Sequence, residues 1–221
     1  MSDYSVLHQT NIIIHIIFGS SALIIAGLSL IYKKGGKIHR TLGRLFLLAM
    51  SFVILTGLLG VFLFKVNVSL LMVTALSGYN AFSGYRVIKN KTLRFKSLDI
   101  IVALFTAGTA IYFLYYIRSI GLFWSPIVMY SIVGALFMLI TYDLLRYFIP
   151  ASKYKGLWLY EHIYKIIAAF TALFSAFVGT VFPQYHPYSQ FLPSIFGTSM
   201  AFVFMYYYYR KSKSDKLKFE K

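Results

Sequence analysis

His39, Asp143 and His162 are the residues of this 221-residue sequence with the clearest capacity for chemistry. Two imidazoles and a carboxylate suit zinc or another divalent ion, and the same groups serve proton transfer. The imidazoles alone would suit the axial positions of a haem. Arg40, beside His39, joins them as a candidate ligand-binding residue. Asp99 and Glu161 form a secondary set expected at the same depth, and His15 belongs elsewhere. Cysteine is absent, which excludes disulfides, thiolate metal sites and redox dithiols. No phosphate loop, serine-nucleophile elbow or His-Glu-x-x-His helix occurs.

The elements that must position these groups are apolar runs. The chain is 59% hydrophobic, 19% aromatic and 13% charged, far too apolar for a soluble domain. Between the first two runs lies a basic turn, Lys33-Lys34-Gly35-Gly36-Lys37-Ile38-His39-Arg40-Thr41-Leu42-Gly43-Arg44. Its cations resist transfer through a bilayer, so it marks a cytoplasmic face. Seven runs approach the roughly twenty residues that a hydrocarbon core demands: 12–32, 45–64, 68–88, 98–116, 125–147, 157–182 and 191–209. Ser97 is expected to cap the fourth, and Pro193 to fall in the first turn of the seventh. Lys65-Val66-Asn67 reads as a tight outer turn. The first eleven residues hold no Lys or Arg, so no cleaved signal is expected.

Lysine and arginine fall overwhelmingly on one side. The alternating inner segments hold five, five, four and six of them, Lys165 included, against only Lys65 and Arg118 outside. This bias predicts seven helices, N-terminus out and C-terminus in, in a bacterial cytoplasmic membrane. Residues 1–209 form the membrane domain and 210–221 a basic cytoplasmic tail. The net charge of +16 therefore reflects orientation and attraction to anionic headgroups of the lipid bilayer, with no nucleic acid implied. Trp124, Tyr115, Tyr116 and Tyr188 are expected at the outer interface; Trp158, Tyr147 and Tyr206–Tyr209 at the inner one. A partner subunit or a homo-oligomer is left open.

Depth decides which groups can meet. His15 lies roughly 25–30 Å from His39 along the first helix, so the two cannot share a site. Each remaining group also has a plain structural account. Asp99 and Glu161 lie near helix N-termini, where negative charge is favourable. Asp143 has Arg146 at i+3. His39 and His162 open helices at an interface, His15 would hydrogen-bond between helices or face an outer cavity, and His8 and His186 would be solvated. Gly19, Gly27, Gly43, Gly57, Gly60, Gly78 and Gly84 are expected to let helices approach, while Gly35-Gly36 is turn chemistry. A faint echo between spans one to three and five to seven suggests two parallel three-helix units joined by the fourth.

The chain resembles the bacterial membrane proteins grouped as domain of unknown function 2306. The resemblance rests on His15, on Gly36-Lys37-Ile38-His39-Arg40-Thr41-Leu42-Gly43-Arg44 with Met50, and on Ser77-Gly78-Tyr79 through Gly84-Tyr85-Arg86. It continues in Trp158-Leu159-Tyr160-Glu161-His162 with Thr171-Ala172. Where that family's late motif places Met four residues after the His, this chain has Ile166. The resemblance implies a polytopic bacterial membrane protein and no particular activity. Residue chemistry then leaves several readings. One is small-molecule or ion binding or transport through the cytoplasmic-side cluster of His39, Arg40, Asp143 and His162. The others are a zinc-dependent membrane hydrolase, a haem-binding redox protein, and a scaffold. The absence of His from the last span counts against the hydrolase, and the unbroken spans count against a transporter.

Overall fold

The computed structural model describes residues 3–64, 69–91, 96–120 and 126–219. The turn at Lys65–Asn67, Arg94 and Trp124 lie outside the described residues, as do the side chains of Asp3 and of the tail beyond Lys213. Among the described residues the fold is all-helical: α1 (Asp3–Ile31), α2 (Lys37–Phe62), α3 (Ser69–Lys89), α4 (Ser97–Ile120), α5 (Pro126–Leu145), the short α6 (Ala151–Tyr154), α7 (Leu157–Val181) and α8 (Tyr188–Phe219). Five of these, α1, α2, α4, α5 and α7, are long and apolar enough to cross a membrane. The chain is a helical bundle with the character of a multi-pass membrane protein.

The outside of the bundle is apolar, and polar and charged side chains are set among the apolar ones inside. Ile24, Phe105, Met138 and Phe196, on four different helices, are 65%, 74%, 69% and 63% exposed. Asn80, Asp143, Arg146, Glu161, Lys165, Thr171 and Ser175 are buried. Exposed apolar residues spread over so many helices make a surface that suits lipid rather than water. The distribution also explains why α3 falls short of membrane-span apolarity. It packs against α2, α4, α5 and α7, so it can carry Ser77, Asn80 and Ser83 on a protein-facing surface.

Contacts between helix ends fix the up-and-down order. Lys34, just past α1, lies over the ring of Phe204 in α8 at 5.1 Å. Lys91, past the end of α3, lies 4.1 Å over Trp158 at the start of α7. Arg86 near the end of α3 pairs with Asp99 at the start of α4. One end of the bundle therefore gathers the cations that the sequence placed in three separate loops. There Lys34 Nζ donates to the carbonyls of Ser29 and Leu30 at 2.8 and 2.6 Å, closing the C-terminus of α1. Burial draws its ammonium below the ordinary lysine range. Gly35 at φ 75° and Gly156 at φ 95° make the tight turns before α2 and α7 in the left-handed region.

Close helix approach follows the glycines only in part. A Cβ at Gly57, Gly78 or Gly84 would come within 3.0 Å of Thr74, Ile54 or Lys165 and Ile166, so these glycines set the α2–α3 and α3–α7 spacing. Gly19, Gly27 and Gly43 face open space and Gly60 makes only an ordinary contact, contrary to expectation. Gly179 and Gly197, not among the glycines expected to pack, are tighter: a Cβ at Gly197 would overlap Thr171. Three further expectations shift. Ser97 is the first residue of α4 rather than its cap, and the carbonyl of Lys96 accepts the first helical bonds. Helix α8 begins at Tyr188, so Pro193 lies inside it and cannot donate to the carbonyl of Ser189. The same helix runs on to Phe219, so the basic tail continues it without a break. Neither does the packing repeat between halves: α1 and α2 lie against each other, whereas α5 and α7 share no comparable contact.

Candidate functional site: a buried charge cluster below a cavity

Asp143, in the last turn of α5, and Arg146, just past its end, meet Glu161 and Lys165, one turn apart on α7. Lys165 Nζ donates to Asp143 Oδ1 in a very short contact and lies 3.7 Å from Glu161 Oε2. Arg146 donates to Glu161 Oε2 at 2.6 Å and lies 3.7 Å from Asp143. The second oxygen of each carboxylate is also occupied. Tyr79 of α3 donates to Asp143 at 3.1 Å, and Tyr142 donates to Glu161 at 2.8 Å. Two acids and two bases make the cluster neutral as a unit, which is how four charges tolerate burial. Beside it, burial and then the charge on Glu161 raise the Tyr154 hydroxyl above its ordinary range.

Asp143 is thereby withdrawn from the imidazoles. His39 Nδ1 bonds Ser29, to its hydroxyl at 3.0 Å and its carbonyl at 3.2 Å. His162 Nδ1 donates to the carbonyl of Gly84 at 3.0 Å. No group of three His, Asp or Glu with metal-holding geometry occurs among the described residues, so the structure does not bring His39, Asp143 and His162 together as ligands. Arg40 is exposed at the surface. Asp99 belongs to a separate pair with Arg86 at 2.5 Å, with Tyr147 at 3.4 Å. A space of about 10 Å³, water-sized, separates that pair from Asp143 and Arg146, and it is also lined by Ser83.

At the opposite end, His15 Nδ1 bonds Thr56 Oγ1 at 2.8 Å, the interhelical role expected of it. His8 is not simply solvated: its ring stacks on Phe64 at 4.8 Å. His186 is exposed, as expected.

The feature that sequence reasoning missed is Lys165. The sequence places it in the opening turns of the sixth span and counts it with the inner-side cations, yet it is 1% exposed. A signal existed: it lies nine residues beyond Gly156, two full turns inside α7, with Glu161 at i−4 to accompany it.

Above the cluster, between α3, α5, α7 and α8, lies a cavity of about 250 Å³. Its near end reaches Asn80, Leu139 and Ala168, each about one turn or less from a cluster residue. Its far end reaches Val73, Val128 and Gln190, where α3, α5 and α8 begin. Leu139, Ile132 and Phe191 supply an apolar wall into which Ser and Thr hydroxyls are set. The lining holds no charged residue. A mostly apolar hollow with a few polar groups is the usual form of a small-molecule site. No family model matches the chain, and no curated protein or solved structure matches it, so any functional reading rests on this geometry alone.

Proposed function

We propose that this chain is a seven-span protein of a bacterial cytoplasmic membrane, N-terminus out and C-terminus in, that binds and moves a small molecule. The site is the cavity between α3, α5, α7 and α8, and the Asp143–Lys165–Arg146–Glu161 cluster closes its cytoplasmic end. The observation that carries this reading is a 250 Å³ cavity whose near end lies within about one helical turn of a buried, neutral four-charge cluster. Helices α5 and α7 lie apart along the cavity and are joined by charges below it, the arrangement of a gate. The reading keeps Asp143 from the sequence-derived cluster and moves the ligand away from His39 and Arg40. The likeness to domain of unknown function 2306 belongs to the same proposal.

The test is small-molecule mass spectrometry of gently purified protein. Wild type should carry a compound that Ser131→Phe, which fills the cavity from an exposed position, does not. Uptake of that compound into proteoliposomes should fall at least ten-fold in Lys165→Met. Identical small-molecule content in wild type and Ser131→Phe would sink the reading.

A second reading rests on the imidazoles. Both Nδ1 atoms are engaged by backbone carbonyls, which orients the rings and leaves each Nε2 free, the pattern of histidines that hold a metal or a haem iron. Near-stoichiometric iron or zinc that disappears in His162→Ala would support it. Metal at background level in wild type would retire it, together with the zinc-hydrolase alternative.

A further inference from the structure

We infer that the cavity takes an uncharged, membrane-soluble amphiphile through a lateral gap between α5 and α8, and that Asn80 holds its hydroxyl or N–H group. The inference rests on the binding reading above and adds the ligand's chemical class and its route.

Three observations specify the class. First, the lining is without charge, and the neighbouring ions already neutralise one another. A charged ligand would find no counter-ion there and would have to shed its hydration.

Second, among the buried polar groups of the wall one acceptor stands unpaired. Ser175 bonds Ser194 at 3.0 Å, and Thr171 donates to the carbonyl of Ile167. Asn80 Nδ2 donates to the carbonyl of Leu76 at 2.9 Å, yet Asn80 Oδ1 has no hydrogen-bond partner although the residue is 2% exposed. A buried acceptor left unpaired is costly, and a ligand bringing a donor would satisfy it. Size is the third constraint. A ~150 Å³ apolar cavity accepts benzene, so 250 Å³ admits about ten non-hydrogen atoms.

The route follows from packing. Helices α5 and α8 are not packed against each other, and the cavity residues Ser131 and Ala135 on one and Phe191 and Thr198 on the other are exposed. The surface around these exposed positions is apolar. A ligand dissolved in the bilayer would enter there without crossing the basic end.

1-Naphthol, with eleven non-hydrogen atoms and one hydroxyl, is a suitable fluorescent probe for detergent-purified full-length protein; 1-methoxynaphthalene has no donor, and 1-naphthoate is charged. We expect 1-naphthol to bind at least ten-fold more tightly than the ether, and naphthoate not to bind. Asn80→Leu should equalise naphthol and ether while retaining both. Ala135→Phe, at an exposed position that leaves the core intact, should abolish both. Equal affinity of naphthol and ether in wild type would overturn the Asn80 assignment while leaving the binding cavity standing. Binding of both compounds unaffected by Ala135→Phe would remove them from the cavity and overturn the binding reading as well. Conversion of a wild-type dimer to monomer by Ala135→Phe, measured by light scattering, would assign the gap to a second copy of the chain and overturn lateral entry.

Discussion

A lysine buried among apolar helices survives only because its charge is answered on every side. Lys165 has Asp143 across the α5–α7 interface and Glu161 on its own helix, while Arg146 balances the second acid. Removing one member leaves the remainder charged. Lys165→Met should therefore lower stability by about 3–5 kcal/mol, seen as a marked fall in the melting temperature of the detergent-solubilised protein. Replacing both partners of the pair, Asp143→Leu with Lys165→Met, should recover most of that loss, because burying two apolar groups avoids the desolvation that the ions require. A double variant no more stable than the single would show that the cluster is not energetically coupled. Tyr79 reinforces the point at the same scale: its hydroxyl holds the carboxylate oxygen that the lysine does not.

Between elements, contact distance rather than apolarity decides the packing, since lipid is as apolar as leucine and gives helices no hydrophobic reason to associate. Helices α3 and α7 lie centrally, and glycines set how near their neighbours come. Gly197→Ala should destabilise by about 1–3 kcal/mol because its new Cβ would overlap Thr171 across the α7–α8 interface. Gly27→Ala, where a Cβ meets nothing within 4 Å, should leave the melting temperature nearly unchanged or raise it, as alanine is the better helix former. Equal effects of the two substitutions would contradict the interface. The seven glycines singled out by sequence divide along this line. Composition says that a membrane bundle needs small residues somewhere, but rotational setting decides which of them face a neighbour.

For the whole molecule, the proposed orientation puts the basic end in the cytoplasm. The absence of cysteine lets single introduced cysteines report sidedness without background. Lys37→Cys and Ser152→Cys, near the basic end, should react with an impermeant maleimide only after cells are permeabilised. Ser119→Cys and Gln184→Cys should react in intact cells. The reverse pattern would invert the proposed topology, and mixed labelling at one end would break the alternation of spans.

The sequence by itself determined the class of object. Apolar runs of bilayer length, loops with the cations on one side, and an interhelical bond for His15 are legible because they depend on local composition and on depth along a helix. Which ionisable groups meet depends on helix rotation and on long-range pairing, which neither composition nor spacing encodes. Sequence reasoning thus grouped Asp143 with His39 and His162 by depth. The tertiary structure gave it to Lys165 and Tyr79 instead, because α3, α5 and α7 turn those side chains toward one another. The cavity was likewise beyond the sequence. It exists where α5 and α7 are held together by charges at one end and kept apart above them, a consequence of how four helices pack and not of any one of them.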